Sequence, residues 1–156
     1  MAETTFTGGH SVDRHSHAAI RRHPLHPMIV PFPIAFLIGT LASDIAFRAT
    51  GDPFWARGSE WLIIAALVMG AIAAVFGIID FISIRDARRG GTGWAHALGN
   101  VTAVVLSIIN LVLRLTDGAT TVTTAEFVLS IIVAAMLFVT GWLGGELVYR
   151  QKIGIT

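Results

Sequence analysis

The sequence predicts an all-α fold, a four-helix transmembrane bundle, and three observations carry that reading. The first is composition: 54% of the 156 residues are hydrophobic and only 13% are charged, with a mean hydropathy of +0.71. Soluble proteins carry roughly a quarter charged residues, and a globule of this size has too little interior to hide so much apolar surface. The second is a set of four apolar runs, Met28 to Phe47, Trp61 to Ile79, Trp94 to Leu113 and Phe127 to Leu147. Each is near the ~20 residues that cross a hydrocarbon core, and a chain in lipid must satisfy its own backbone hydrogen bonds, so each run is a helix. The third is the distribution of basic residues. Arg14, Arg21, Arg22, Arg85, Arg88, Arg89, Arg150 and Lys152 fall on one side of the runs, and only Arg48, Arg57 and Arg114 on the other. Basic loops stay in the cytoplasm, so both termini are expected inside.

The elements follow in order. Residues 1–22 are polar, hold His10, His15 and His17, and lack apolar periodicity, as a flexible tail does. His23-Pro24-Leu25-His26-Pro27 then leads into the first run. Proline fixes φ and restricts the residue before it, which places both histidines in a rigid, non-helical lead-in. The first run has Pro31 and Pro33 near its start and Asp44 near its end. The second is uncharged and closed by Asp80; the third contains His96, Asn100 and Asn110; the fourth ends on Glu146. Thr50-Gly51-Asp52-Pro53, Arg89-Gly90-Gly91-Thr92-Gly93 and Thr116-Asp117-Gly118 supply turn chemistry between runs. Trp61, Trp94 and Tyr149 sit near run ends, where amphipathic rings suit the interface. Residues 23–150 thus form the transmembrane domain and 151–156 a short C-terminal tail. No residue-level internal repeat is visible.

Composition also excludes several chemistries. Without cysteine the chain has no disulfide, thiolate ligand or iron–sulfur ligation of its own. A net charge of +1, dispersed between apolar runs, gives no nucleic-acid signal. There is no His-Glu-x-x-His motif, Ser-His-Asp arrangement or glycine-rich phosphate loop. The first run lacks a basic leader and a cleavage site, which reads as a retained span.

With orientation set, depth follows. His23, His26, Asp80, His96, Asn100 and Glu146 all arrive at the cytoplasmic end of their helices. Ala66, Gly70, Ala73, Gly77 and Asp80 form a stripe at three- and four-residue steps, and so do His96, Asn100, Ala103, Ser107, Asn110 and Arg114. Small-residue and polar stripes of this kind face protein rather than lipid. Three readings of the shared depth stay open. His26 and His96, with Asn100, are candidate cofactor-binding residues for haem b or a quinone, since imidazoles are suitable axial ligands; Gly70, Gly77 and Gly141 would make room. His23, His26, Asp80, His96 and Glu146 are candidate ligands of a divalent metal. The third reading is a non-catalytic structural or assembly subunit whose polar residues lock the bundle. Transport is disfavoured, because no run is broken at its middle.

Gly141-Trp142-Leu143-Gly144-Gly145-Glu146-Leu147-Val148-Tyr149-Arg150, together with His23-Pro24-Leu25-His26-Pro27 and Phe32-Pro33, resembles the end motifs of the bacterial family called domain of unknown function 2231. Asp44, Asp80, His96 and Asn100 fall where that family's polar positions are expected. The resemblance implies a four-helix protein of the bacterial inner membrane with no settled activity. It also implies redox surroundings, with respiratory, Rieske-type or cytochrome c proteins as partners beside the lipid bilayer. Val30-Pro31 and Gln151 stand where family members often carry histidine, which weakens a multi-histidine metal site.

Overall fold

The computed structural model describes residues 15–21, 23–118 and 120–153. Most of the expected N-terminal tail, residues 1–14 and 22, lies outside the described residues. The part that is described folds back: Ala19–Ile20 (β1) pairs antiparallel with His23–Pro24 (β2).

Leu25–Ile29 (α1) and Pro31–Thr50 (α2) follow and together make one membrane-length segment, Leu25–Thr50. His26 therefore lies inside a helical turn and not in a non-helical lead-in. The prolines do not prevent this, because a helix's first N–H groups have no intrahelical partner and proline lacks only that donor. Val30 joins the two pieces with φ −50° and ψ −35°, and its N–H donates to the His26 carbonyl at 3.0 Å.

α2 stops at Gly51, whose φ of 71° is the left-handed C-terminal cap. Asp52 then caps Pro53–Ser83 (α3), accepting from the Phe54 N–H at 2.8 Å. The next connection holds a short helix, Arg85–Arg89 (α4), before Gly91–Asp117 (α5) begins. The corner between them requires glycine, since a Cβ on Gly93 would lie 1.9 Å from the Ala87 carbonyl oxygen. A capping box between Thr123 and Glu126 starts Thr124–Gly145 (α6), which ends in a π-helical turn, Glu146–Arg150. Among the described residues, four segments have the length and apolar character to cross a membrane.

Around the bundle, α2 packs on α3 and α6, and α5 packs on α6 and α3. α2 and α5 therefore face each other across a diagonal. Buried positions are mostly small, among them Ala56, Ala66, Ala73, Ala103 and Ala134, while Phe138 and Trp142 are 75% and 78% exposed. Large apolar groups outward and small ones inward is the pattern of a chain whose solvent is lipid.

The packing reveals a repeat that residue identity conceals. Adding 70 to His26, Thr40 and Asp44 gives His96, Asn110 and Arg114; adding 67 to Ser59, Ile63, Ala66, Ala73 and Gly77 gives Glu126, Ser130, Val133, Thr140 and Gly144. Every one of these positions from Thr40 to Ala73 is buried, and so is every counterpart from Asn110 to Thr140. The hairpins α1–α2–α3 and α5–α6 are thus equivalent about an approximate two-fold axis along the bundle. Of these buried or facing pairs only the His pair and the Gly pair keep their identity, and the other matches, such as Leu62 with Leu129, are apolar residues common to any span.

Candidate functional site

The axis passes between two polar pairs, one at each end of the bundle. At the first end stand His26 and His96, with ring centroids 6.4 Å apart and planes at 89°. Nδ1 of His26 is 2.8 Å from the Ala73 carbonyl oxygen, and Nδ1 of His96 is 2.9 Å from that of Thr140. A carbonyl oxygen only accepts, so in both rings Nδ1 carries the proton and donates, and Nε2 keeps its lone pair. This is the arrangement in which imidazoles ligate metals, the second nitrogen being fixed by a backbone carbonyl.

Each ring lies against a glycine of its own hairpin partner helix. A Cβ on Gly77 would fall 2.8 Å from Cε1 of His26, and one on Gly144 would fall 3.0 Å from Cε1 of His96. The glycine notches fix where the rings sit, and the carbonyls fix how they turn. Asn100 breaks the symmetry: its Nδ2 donates to the His96 carbonyl at 2.7 Å and lies 3.3 Å from His96 Nε2. The equivalent position in the first hairpin is the apolar Val30.

At the other end, Asp44 and Arg114 meet across the same axis. Arg114 Nη2 donates to Asp44 Oδ2 at 2.7 Å, with the two side chains 2% and 0% exposed. Arg114 also donates through Nε to Asn110 Oδ1 at 3.0 Å and through Nη1 to the Ser59 hydroxyl. Ser130 donates to Asp44 Oδ2 at 2.6 Å, and Asn110 donates to the Ser130 hydroxyl at 3.0 Å. Fully buried Glu126 borders this network through its carbonyl, while its Oε2 accepts from the Thr123 N–H at 2.7 Å. One oxygen of each acid, Asp44 Oδ1 and Glu126 Oε1, is buried without a partner among the described residues. Thr40, Ser43 and Ser107 complete a polar interior half a bundle deep.

The residues expected at the imidazole end divide. His26, His96 and Asn100 are brought together. Asp80 instead gathers the N-terminal segment, its carboxylate accepting from the Ser16 hydroxyl at 2.8 Å and from the N–H groups of His17 and Ala18 at 3.1 and 3.2 Å. Glu146 pairs with Arg150 at 3.1 Å on the exposed side, and exposed His23 bonds the Arg21 carbonyl at 3.0 Å. Among the described residues no three His, Asp or Glu side chains are placed to hold a metal ion. Of the glycines expected to make room, Gly77 is filled by His26, Gly70 touches Pro33, and Gly141 meets nothing within 4 Å.

Sequence reasoning missed Gly144, Ser59, Ser130 and Glu126, and it counted Arg114 both among the outer-side charges and in the protein-facing stripe, where the structure puts it. A signal existed for one of the four missed residues: the Thr-x-x-Glu pattern at 123–126 is the mark of a capping box. Hydroxyls and glycines on apolar helices carry no such mark.

A family model described as a predicted membrane protein, DUF2231, matches residues 22–156. No curated protein and no solved structure matches the chain.

Proposed function

We propose that this chain, which belongs to the DUF2231 family of predicted membrane proteins, is a redox-associated membrane module in which His26 and His96 hold haem b. The observation that carries the reading is the state of the two imidazoles: both donate Nδ1–H to a carbonyl, which leaves two Nε2 lone pairs at one end of the bundle axis. The two ring centroids stand 6.4 Å apart at this end. Haem iron, when bound, supplies one-electron chemistry whose potential is set by its axial ligands and their hydrogen bonds.

The remaining work belongs to the chain. The Ala73 and Thr140 carbonyls fix the rotation of the imidazoles. Gly77 and Gly144 set their depth. Asn100 steadies the backbone turn that carries His96, and its amide, 3.3 Å from His96 Nε2, turns aside when that nitrogen takes iron. A quinone fits less well, because its carbonyls call for donors and both Nδ1–H groups are already engaged. A divalent ion finds only these two nitrogens and none of the carboxylates that would complete its shell.

The reading goes with respiratory or Rieske- and cytochrome c-type partners and a bacterial inner membrane, and the Lys and Arg bias favours cytoplasmic termini. A competing reading, favoured by the carbonyl bonds themselves, makes the imidazoles helix fasteners. Optical spectra and metal content of the full chain, expressed with haem precursor and purified in detergent, separate the two. A Soret band with stoichiometric iron is expected. Colourless, metal-free protein would leave the fasteners.

A further inference from the structure

The imidazole end of the bundle carries a basic face that the haem reading does not use. α4 connects two membrane-length segments, ending at Ser83 and beginning at Gly91, so its side chains stand within a few residues of both. Ile84 and Ala87 turn inward and pack with Ile153, Phe81 and Leu147. That contact seats the short helix on the bundle and brings the C-terminal segment alongside it. Arg85, Arg88 and Arg89 turn outward, are exposed, and line one shallow hollow. Arg150 and Lys152, also exposed, belong to the same end.

Five cations thus meet two carboxylates, Asp86 and Glu146, while Asp80 at the same end is engaged by the N-terminal segment. Glu146 is held by Arg150 at 3.1 Å, and Asp86 lies 3.8 Å from Arg89. Two aromatic side chains mark the level of this face. Trp94 is 49% exposed, stacks edge-on against Phe81 at 5.0 Å and donates Nε1–H to the Arg88 carbonyl at 3.1 Å. Tyr149 is 82% exposed. Exposed Trp and Tyr at the ends of membrane helices sit among the headgroups. The Trp94 bond therefore fastens the arginine helix to a ring at headgroup depth.

We propose that Arg85, Arg88 and Arg89 bind the phosphate of an anionic phospholipid headgroup. Guanidinium forks match phosphate oxygens two at a time, and basic segments beside a membrane helix are drawn to an anionic leaflet. A lipid phosphate is the fitting occupant rather than a soluble anion, because the hollow opens beside the ends of two spans. The proposal does not depend on haem.

Native mass spectrometry of the detergent-solubilised full chain, with phosphatidylglycerol or phosphatidylcholine added, tests it. The wild type is expected to retain phosphatidylglycerol preferentially, and the preference should fade with added salt, as exposed charge contacts do. The triple variant Arg85→Gln, Arg88→Gln, Arg89→Gln should lose that retention by roughly tenfold or more, given three phosphate-facing charges removed. Arg48→Gln with Arg57→Gln, at the far end, should keep it. Inorganic phosphate at equal concentration should not displace the lipid. Equal retention of both lipids by the wild type, retention unchanged in the triple variant, or displacement by inorganic phosphate would each overturn the assignment. The wild-type comparison stands even if the triple variant does not fold.

Discussion

The two ends of the bundle axis use equivalent positions in opposite ways. At one end the hairpins present the same residue, His26 and His96; at the other they present opposite charges, Asp44 and Arg114. Opposite charges satisfy each other, and the 2.7 Å contact between them closes that end. The two imidazoles do not bond each other: each turns its Nδ1–H to a carbonyl of its own hairpin. Complementary residues on an axis make a lock, and identical donors make a place for something between them. The ends are 18 residues apart on both α-helical strands of the comparison, or ~27 Å at the helical rise, so each can be altered without touching the other.

The largest expected effect lies at the closed end. Arg114→Met leaves Asp44 as an uncompensated buried charge, which costs about 3–5 kcal/mol. Thermal unfolding in detergent should show it, and Asp44→Leu added to the same chain should restore much of the loss, since an apolar pair carries no desolvation penalty. A single variant as stable as the wild type would mean that this end is not a lock.

Gly77→Ala and Gly144→Ala come next. Each adds a methyl at 2.8 or 3.0 Å from an imidazole carbon, an overpacking worth about 1–3 kcal/mol, and each should displace the ring it meets. Similar losses from the two substitutions would bear on the equivalence of the hairpins, because they fill the same notch twice. If only one of them lowers the unfolding temperature, the axis does not govern that end.

The smallest effect is expected from Gly141→Ala. Nothing lies within 4 Å of the added Cβ, and alanine gains up to about 1 kcal/mol over glycine in a helix interior. Unfolding at or slightly above the wild-type temperature is the expected outcome. It shows that the losses at Gly77 and Gly144 come from the rings and not from glycine replacement as such.

How much of this was legible follows from the same contrast. Bundle and spans read directly from hydrophobicity, because lipid leaves only helices as an answer. The stripe from His96 to Arg114 was legible as a spacing, and Ala103, Ser107, Asn110 and Arg114 are all buried. Depth alone could not separate His96 from Asp80 or Glu146. All three sit at one level, but Asp80 is drawn to the N-terminal segment and Glu146 to Arg150. Position around a helix, not along it, decides which groups meet. The repeat was illegible for a different reason: what the two hairpins share is burial at equivalent positions, so Ser59 answers Glu126 and Ile63 answers Ser130 without likeness of residue.

The central claim is that His26 and His96 are equal partners in one site. The Soret absorbance of protein expressed with haem precursor, measured side by side for wild type, His26→Ala, His96→Ala and the double variant, tests it most directly. The account predicts a band in the wild type that both single substitutions abolish or convert alike, with the double variant no different from a band-free single, while Asp80→Asn leaves the band intact. A band that survives unchanged in either single histidine variant would contradict it.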